Sequence, residues 1–368
     1  MLILGFVVAL VCLLGCTSAD TSVTLDEKAV PSQRTKVRAF YSGHSLTDEI
    51  PEAITAFAPS LAAKGKPADF DYDFQSGSGA TIRMRSFGLD PSVRDGGYRF
   101  GRNRHGEGMD VAAEWREPRT LKNGDRYNLL VITERHTLPW TIEHEQTVPA
   151  LAHYVDAFQR ESPNGDVLLY HVWLALNVDQ VRDWIAYERD ALPLWECVAS
   201  AINRELPDGR PKLRVLPGAT ALAELLESMM SGQAPIVTGS AEEKLGLLFS
   251  DNVHLAPAGI YFMALVHYAA LFGVSPEGAV APAGVAPQLA EHMQQLAWRH
   301  VSDYAKRAAA AASRDAAWCN DYADDVMCPR FYQYQKPVGG TLVERAKHMK
   351  NAVVCSGFAT DIAPATTR

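Results

Sequence analysis

Short apolar runs alternate with stretches of helical period from Val37 to Phe272. Val37–Ser42 is β-branched and aromatic and reads as a buried strand ending at Ser42-Gly43, and Glu49–Ala63 then repeats its apolar positions at helical spacing. Asp69–Gln75 reads as a second strand, and Tyr127–Thr133 (Tyr-Asn-Leu-Leu-Val-Ile-Thr) as the clearest central one. A helix over Glu145–Glu161, a Pro163-Asn164-Gly165 turn and a buried strand at Asp166–Leu174 follow. Val178–Leu206 is helical and expected to break around Pro193. Leu213–Leu216 reads as a short fifth strand, Ala219–Ser231 as a helix, and Pro257–Phe272 as a helix with proline in its first turn. Such alternation is the signature of a parallel sheet covered on both faces. The predicted fold class is therefore α/β, a three-layer α/β/α domain over about Thr35–Val274.

Two regions interrupt the alternation. Arg83–Asn123 is rich in glycine, arginine and charge without a clear period, and reads as a long insertion carrying a short helix at Val111–Trp115. Residues 275–288 read as a linker, followed by a helix over Pro287–Ala312 and an aromatic, cysteine-bearing tail around Trp318–Tyr334. The expected organisation is a domain at 36–274 with a helical C-terminal extension over 275–368. At the other end, residues 1–15 are uncharged and strongly apolar, too short for an ordinary transmembrane helix and suited to a signal-peptide core. They run through Leu13-Leu14-Gly15-Cys16 into polar Thr17-Ser18-Ala19-Asp20, which resembles a bacterial lipobox. On that resemblance residues 1–16 are a lipoprotein signal, Cys16 is a lipid anchor and residues 17–35 are a flexible tether. Export is expected, to the periplasm or outer membrane as a lipoprotein, or to the medium if the signal is simply cleaved.

Composition narrows the partners. With 368 residues, 47% apolar and 21% charged, this is an ordinary globular balance, and a net charge of −8 leaves no basic footprint for nucleic acid. Four cysteines follow the leader: Cys197, Cys319, Cys328 and Cys355. A Cys319–Cys328 link closing a small loop would leave Cys197 and Cys355 to pair, and spacing alone does not settle connectivity. No cofactor or metal is expected. His144-Glu145 opens like a zinc-protease motif but lacks the second histidine four residues on, and no glycine-rich phosphate loop is present.

Candidate chemistry centres on Ser45. It falls on a strand-to-helix turn in Tyr41-Ser42-Gly43-His44-Ser45-Leu46-Thr47-Asp48, with Thr47 or Asp48 placed to cap the helix. That puts its hydroxyl at the carboxyl edge of the sheet, where open α/β sheets bind ligands. Serine needs a base to become a nucleophile, and Asp251-Asn252-Val253-His254 offers one. Asp251 lies three residues before His254, so it can fix the imidazole tautomer and leave the other nitrogen for the Ser45 proton. His171 and Trp173, in Tyr170-His171-Val172-Trp173, alternate onto one strand face, either as a pocket wall that binds substrate or as core.

Gly43-His44-Ser45-Leu46 resembles the Gly-Asp-Ser-Leu block that opens the SGNH/GDSL hydrolase superfamily, and Asp251-Asn252-Val253-His254-Leu255 resembles its closing Asp-x-x-His block. Ser78-Gly79-Ala80-Thr81 is similar to the second block, whose glycine amide helps to form the oxyanion hole. The resemblance implies a flavodoxin-like, SGNH-type layout in which Ser45, Asp251 and His254 are catalytic and the amides of Ser45 and Gly79 bind the oxyanion. Gly77 is the alternative to Gly79. The third block departs from the family: where an asparagine donor is usual, this chain reads Glu134-Arg135-His136-Thr137, so Arg135 or His136 is the candidate replacement. Otherwise Glu134 and Arg135 form a local ion pair. His44, in place of the family's aspartate, is a candidate substrate-binding residue. The implied function is an exported serine esterase acting on a small-molecule or glycan O-acyl ester, plausibly acetyl groups on a carbohydrate. An acyltransferase of the same fold and a non-catalytic binding lipoprotein are the alternatives.

Overall fold

The computed structural model describes residues 33–88, 98–311 and 314–335. Strands β1 (Lys36–Gly43), β2 (Asp69–Ser76), β3 (Leu129–Ile132), β4 (Asp166–Tyr170) and β5 (Leu213–Leu216) pair in parallel in the order β2-β1-β3-β4-β5. The order reverses between β1 and β3, which opens a crevice at their carboxyl ends. The helices between them are α1 (Ile50–Ala62), α2 (Ile82–Phe87), α3 (Val111–Arg116), α4 (Leu138–Glu145), α5 (Thr147–Glu161), α6 (Val181–Glu205), α7 (Gly218–Met230), α8 (Ala241–Leu248) and α9 (Pro257–Phe272). The fold is α/β with three layers.

The central strands are apolar because both their faces are covered. β1 is buried from Val37 to Gly43, and β3 throughout. Successive side chains go to opposite layers. Phe40 meets Trp115 edge-on, and Trp115 packs on Tyr154 and Phe158 of α5. Tyr41 points the other way and stacks on His267 of α9, while Phe57 of α1 packs on Tyr261 and Tyr268 of the same helix. Helix α9 is buried almost all round, as its uniformly apolar sequence requires.

β2 lies at the edge, and its alternation carries acids inward. Asp71 accepts the Lys122 N–H and pairs with Arg104 at 2.8 Å, and Asp73 accepts the Arg104 N–H. Ser76 and Arg102 exchange both backbone hydrogen bonds, so the insertion shields a strand edge that would otherwise be open to pairing. Part of that insertion, residues 89–97, lies outside the described residues.

Several expectations change. Helix α6 runs unbroken through Pro193, because buried Trp184 on one side and Leu194, Trp195 and Cys197 on the other hold both halves against the core. Helices α4 and α8 are additional. α10 (Pro287–Ala311) packs on α9 and α7, and α11 (Ala316–Tyr322) and α12 (Cys328–Tyr334), joined by a π-helical turn, lie along α6. The disulfide is Cys197–Cys319, tying α11 to α6, rather than the small Cys319–Cys328 loop, and Cys328 is also disulfide-bonded. Docking of α11 on α6 brings together two cysteines separated by 122 residues, which local spacing could not reveal. The leader, Cys16, Cys355 and most of the tether fall outside the described residues. No helix among the described residues is long and apolar enough to cross a membrane.

Candidate active site

Four loops meet at the carboxyl edge of the sheet, and hydrogen bonds fix each to its neighbour. Ser45 leaves β1 in a tight elbow. Thr47 folds its hydroxyl back to the His44 carbonyl at 2.6 Å and accepts the His44 N–H at 3.1 Å, so it is occupied within the elbow and does not cap α1. A Cβ on Gly43 would come within 2.1 Å of that hydroxyl, so close approach, not a positive φ, demands glycine there. Asp48 likewise does not cap α1. It accepts the Ser76 hydroxyl and so ties the elbow to the loop after β2, which the Gly77 N–H also joins by donating to the Gly43 carbonyl at 3.3 Å.

Ser45, His254 and Asp251 come together. Ser45 Oγ lies 3.0 Å from His254 Nε2, and His254 Nδ1 lies 2.7 Å from Asp251 Oδ2. The other Asp251 oxygen accepts the backbone N–H groups of His254 and Val253 at 2.6 and 2.7 Å. Hydrogen bonds from the His254 backbone, then its ring, then the Val253 N–H hold the Asp251 carboxyl at about 2, so it is ionised at neutral pH. An ionised Asp251 selects the tautomer with the proton on Nδ1 and leaves Nε2 free to accept from Ser45. The Asp251 and His254 side chains are about half exposed, at 51% and 45%, and Ser45 is partly buried.

Gly79 adopts φ +63°, a conformation that favours glycine, whereas Gly77 does not and has its N–H engaged. Among the described residues, no protein acceptor takes the N–H of Ser45 or of Gly79. The two amides remain available to a ligand oxygen.

The loop after β3 departs from expectation most. Glu134 and Arg135 do not form an ion pair. The Glu134 side chain turns inward, fully buried, and accepts from Ile82 N–H at 3.1 Å, from Arg135 N–H at 2.7 Å and from the Thr147 hydroxyl at 3.0 Å. Burial raises its carboxyl, and the neighbouring Arg85 guanidinium opposes that rise. Arg85 is itself buried and donates to Ser42 Oγ at 2.6 Å and to the Thr133 carbonyl. Glu134 thus fastens the start of α2, directly after Gly79, to the end of β3. Both buried charges escaped sequence reasoning, because a charged residue is ordinarily read as solvent-facing. The available signals were an acid directly closing a wholly apolar strand and an arginine just beyond a Gly-x-Thr loop.

Arg135 instead lays its guanidinium over Trp140, 4.6 Å from the ring centroid, and donates from Nε to Thr137. His136 is partly buried. Burial first, and then the charges of Arg135 and His254, bring its imidazole down to about 4, so it is neutral and shares a neighbourhood with both.

Three substrate-binding expectations are corrected. His44 is buried, its Nε2 donating to the Glu134 carbonyl at 3.2 Å and its Nδ1 accepting the Leu46 N–H, so it joins two loops instead of meeting a ligand. His171 is buried against Trp195 and beside Glu188, 3.5 Å away. Trp173 is buried too, but its indole N–H donates to the Val253 carbonyl at 2.8 Å, while the Leu176 N–H donates to the Asn252 carbonyl at 2.6 Å. The strand end therefore braces the His254 loop from behind and forms no pocket wall. Trp173→Phe is expected to lower unfolding stability by about 1 kcal/mol. It should also speed amide exchange at Val253 and His254 about tenfold, read by hydrogen-exchange NMR. Unchanged exchange at those amides would show that the brace holds nothing.

The geometry can do acyl transfer: a hydroxyl, a base with a fixed tautomer and two free amides converge on one open edge. No protein-family model matches the sequence, and no curated protein matches it. Among solved structures it is similar to a DUF4886 family protein from Bacteroides uniformis, with 13% identity and a TM-score of 0.47 over 72% of this chain and 95% of that one.

Proposed function

We propose that the protein is a serine ester hydrolase of SGNH type that removes an O-acyl group, plausibly acetyl from a carbohydrate. One observation carries this reading: Ser45 Oγ sits 3.0 Å from the free nitrogen of an imidazole whose other nitrogen is held by Asp251, across a sequence separation of 209 residues. His254 takes the Ser45 proton as Oγ attacks the ester carbonyl. The oxyanion is received by the N–H groups of Ser45 and Gly79, with the neutral His136 as third donor in the place of the family's asparagine. Collapse expels the alcohol, protonated by His254, and water deacylates the serine by the same route. Half-exposed Asp251 and His254 leave the edge open to water and to a bulky alcohol.

The disulfide supports export, because such bonds persist in oxidising compartments. A fluorophosphonate probe, which reacts only with an activated serine, tests the reading. The folded wild type is expected to be labelled and Ser45→Ala not. Absence of labelling in wild type, or equal labelling of both, would return the protein to the class of binding lipoproteins.

A further inference from the structure

The loop that follows β3 carries a cation, Arg135, with no counter-ion among the described residues. Glu134, its natural partner by adjacency, spends its carboxylate on buried N–H and hydroxyl donors. Among the described residues no carboxylate lies within ion-pair distance of the Arg135 guanidinium, and its hydrogen bond there is from Nε to Thr137 Oγ1 at 3.3 Å. Nη1 and Nη2 are unengaged. The Trp140 ring beneath fixes the guanidinium plane, and the edge of His144 in turn holds the ring at 4.8 Å between centroids. Such packing removes the rotamer freedom that a surface arginine ordinarily loses on binding.

Its position is close to the reacting groups. Thr133 N–H donates to the Ser42 carbonyl, and His44 donates to the Glu134 carbonyl, so Arg135 leaves β3 directly beside the Ser45 elbow. In a chain of net charge −8, a stacked guanidinium at this edge that no carboxylate among the described residues neutralises attracts anions. Its planar fork suits a carboxylate.

We propose that Arg135 anchors a carboxylate carried by the substrate next to the scissile ester, so that the preferred substrates are O-acylated acidic sugars or similar anionic alcohols. The assignment deepens the serine-hydrolase reading and rests on it. Trp140 acts as a positioning residue, holding the fork flat.

The test compares phenyl acetate with 3-acetoxybenzoate, which differs by one carboxylate. Wild type is expected to favour the carboxylated ester, and Arg135→Ala to lower kcat/KM for it about 10- to 100-fold more than for phenyl acetate, through KM. Arg135→Lys should keep part of the preference, and added salt should erode it. A parallel fall for both esters through kcat would make Arg135 an oxyanion donor or a structural residue and overturn the proposal, as would no change for either. A readout independent of turnover is calorimetric binding of 3-acetoxybenzoate to Ser45→Ala and to Ser45→Ala/Arg135→Ala. Binding about tenfold or more weaker in the double variant supports the anchor even if hydrolysis is never seen, and equal binding removes it. Failure of the hydrolase reading shows separately, as turnover that Ser45→Ala does not abolish.

Discussion

Ser45→Ala and His254→Ala are each expected to lower kcat for a short-chain aryl ester by about 10^4- to 10^6-fold, with almost no further loss in the double variant. Non-additivity is the informative part. A hydroxyl 3.0 Å from its base acts as one unit with it, so removing either member removes the same proton transfer. Asp251→Asn should cost less, about 10^3- to 10^4-fold, because the amide leaves the ring in place and disturbs only the tautomer. Neither Ser45 nor His254 is in the core, so thermal unfolding midpoints should stay close to wild type. Stopped-assay kinetics on purified variants, with unfolding scans alongside, measure both quantities. Equal rates in wild type and both alanine variants would dismiss the mechanism.

Acidification is expected to unfold the protein well before its surface carboxylates are all protonated. Burial lowers both His44 and His267 from 6.5 to about 3, with Arg85 adding to the effect on His44. Each is needed neutral: His44 Nδ1 accepts the Leu46 N–H, and His267, its Nδ1 3.4 Å from the Tyr41 hydroxyl, is buried between Tyr41 and Tyr170, where a charged ring is costly. Below pH 6.5 the unfolded chain binds protons at His44 and His267 that the folded chain refuses until about pH 3, and one at His136 that it refuses until about pH 4. Unfolding is therefore proton uptake across that window, and stability present above it is lost as the pH falls. The slope is about 4 kcal/mol per pH unit for three imidazoles. His171, also near 3, is set aside because buried Glu188 beside it is raised well above the usual carboxylate range and holds a proton in the folded state. Glu134, raised by burial, trims the slope toward its acid end. Urea midpoints at pH 7, 6, 5 and 4 would show the decline, and His267→Gln should remove about a third of it. A flat profile, or an unaltered slope in that variant, would contradict the assignment.

Much of this molecule is legible in one dimension. The apolar runs at Val37–Ser42 and Leu213–Leu216 and the uniformly apolar Pro257–Phe272 stretch mark elements whose burial leaves little freedom in composition, and they fold as read. The meeting of Ser45 with His254 could be anticipated because both lie on loops at strand or helix ends, where chemistry concentrates. What stayed hidden is the polar layer beneath. Glu134, Arg85 and Gln75 are indistinguishable by type from surface residues, and only their partners make their burial tolerable. The same blindness works in reverse for His44 and Trp173, which look like ligand-binding side chains and tie loops together, and for His171, which is buried against Trp195 of α6. Pro193 is a third case: the break it ordinarily causes is overridden by aromatic packing on either side.

The 209-residue span between Ser45 and His254 also governs when the two can meet. A partial chain that ends before the last loop of the sheet domain holds a serine with nothing to withdraw its proton. A chain made only as far as a residue before His254, or one still unfolded, does not hold the pair together. The pair forms only once β1 and the loop ahead of α9 have docked across most of the domain, a slow, high-contact-order event that comes late. Long-range closure therefore acts as a built-in delay on the meeting of Ser45 with His254, which waits until the domain has finished folding.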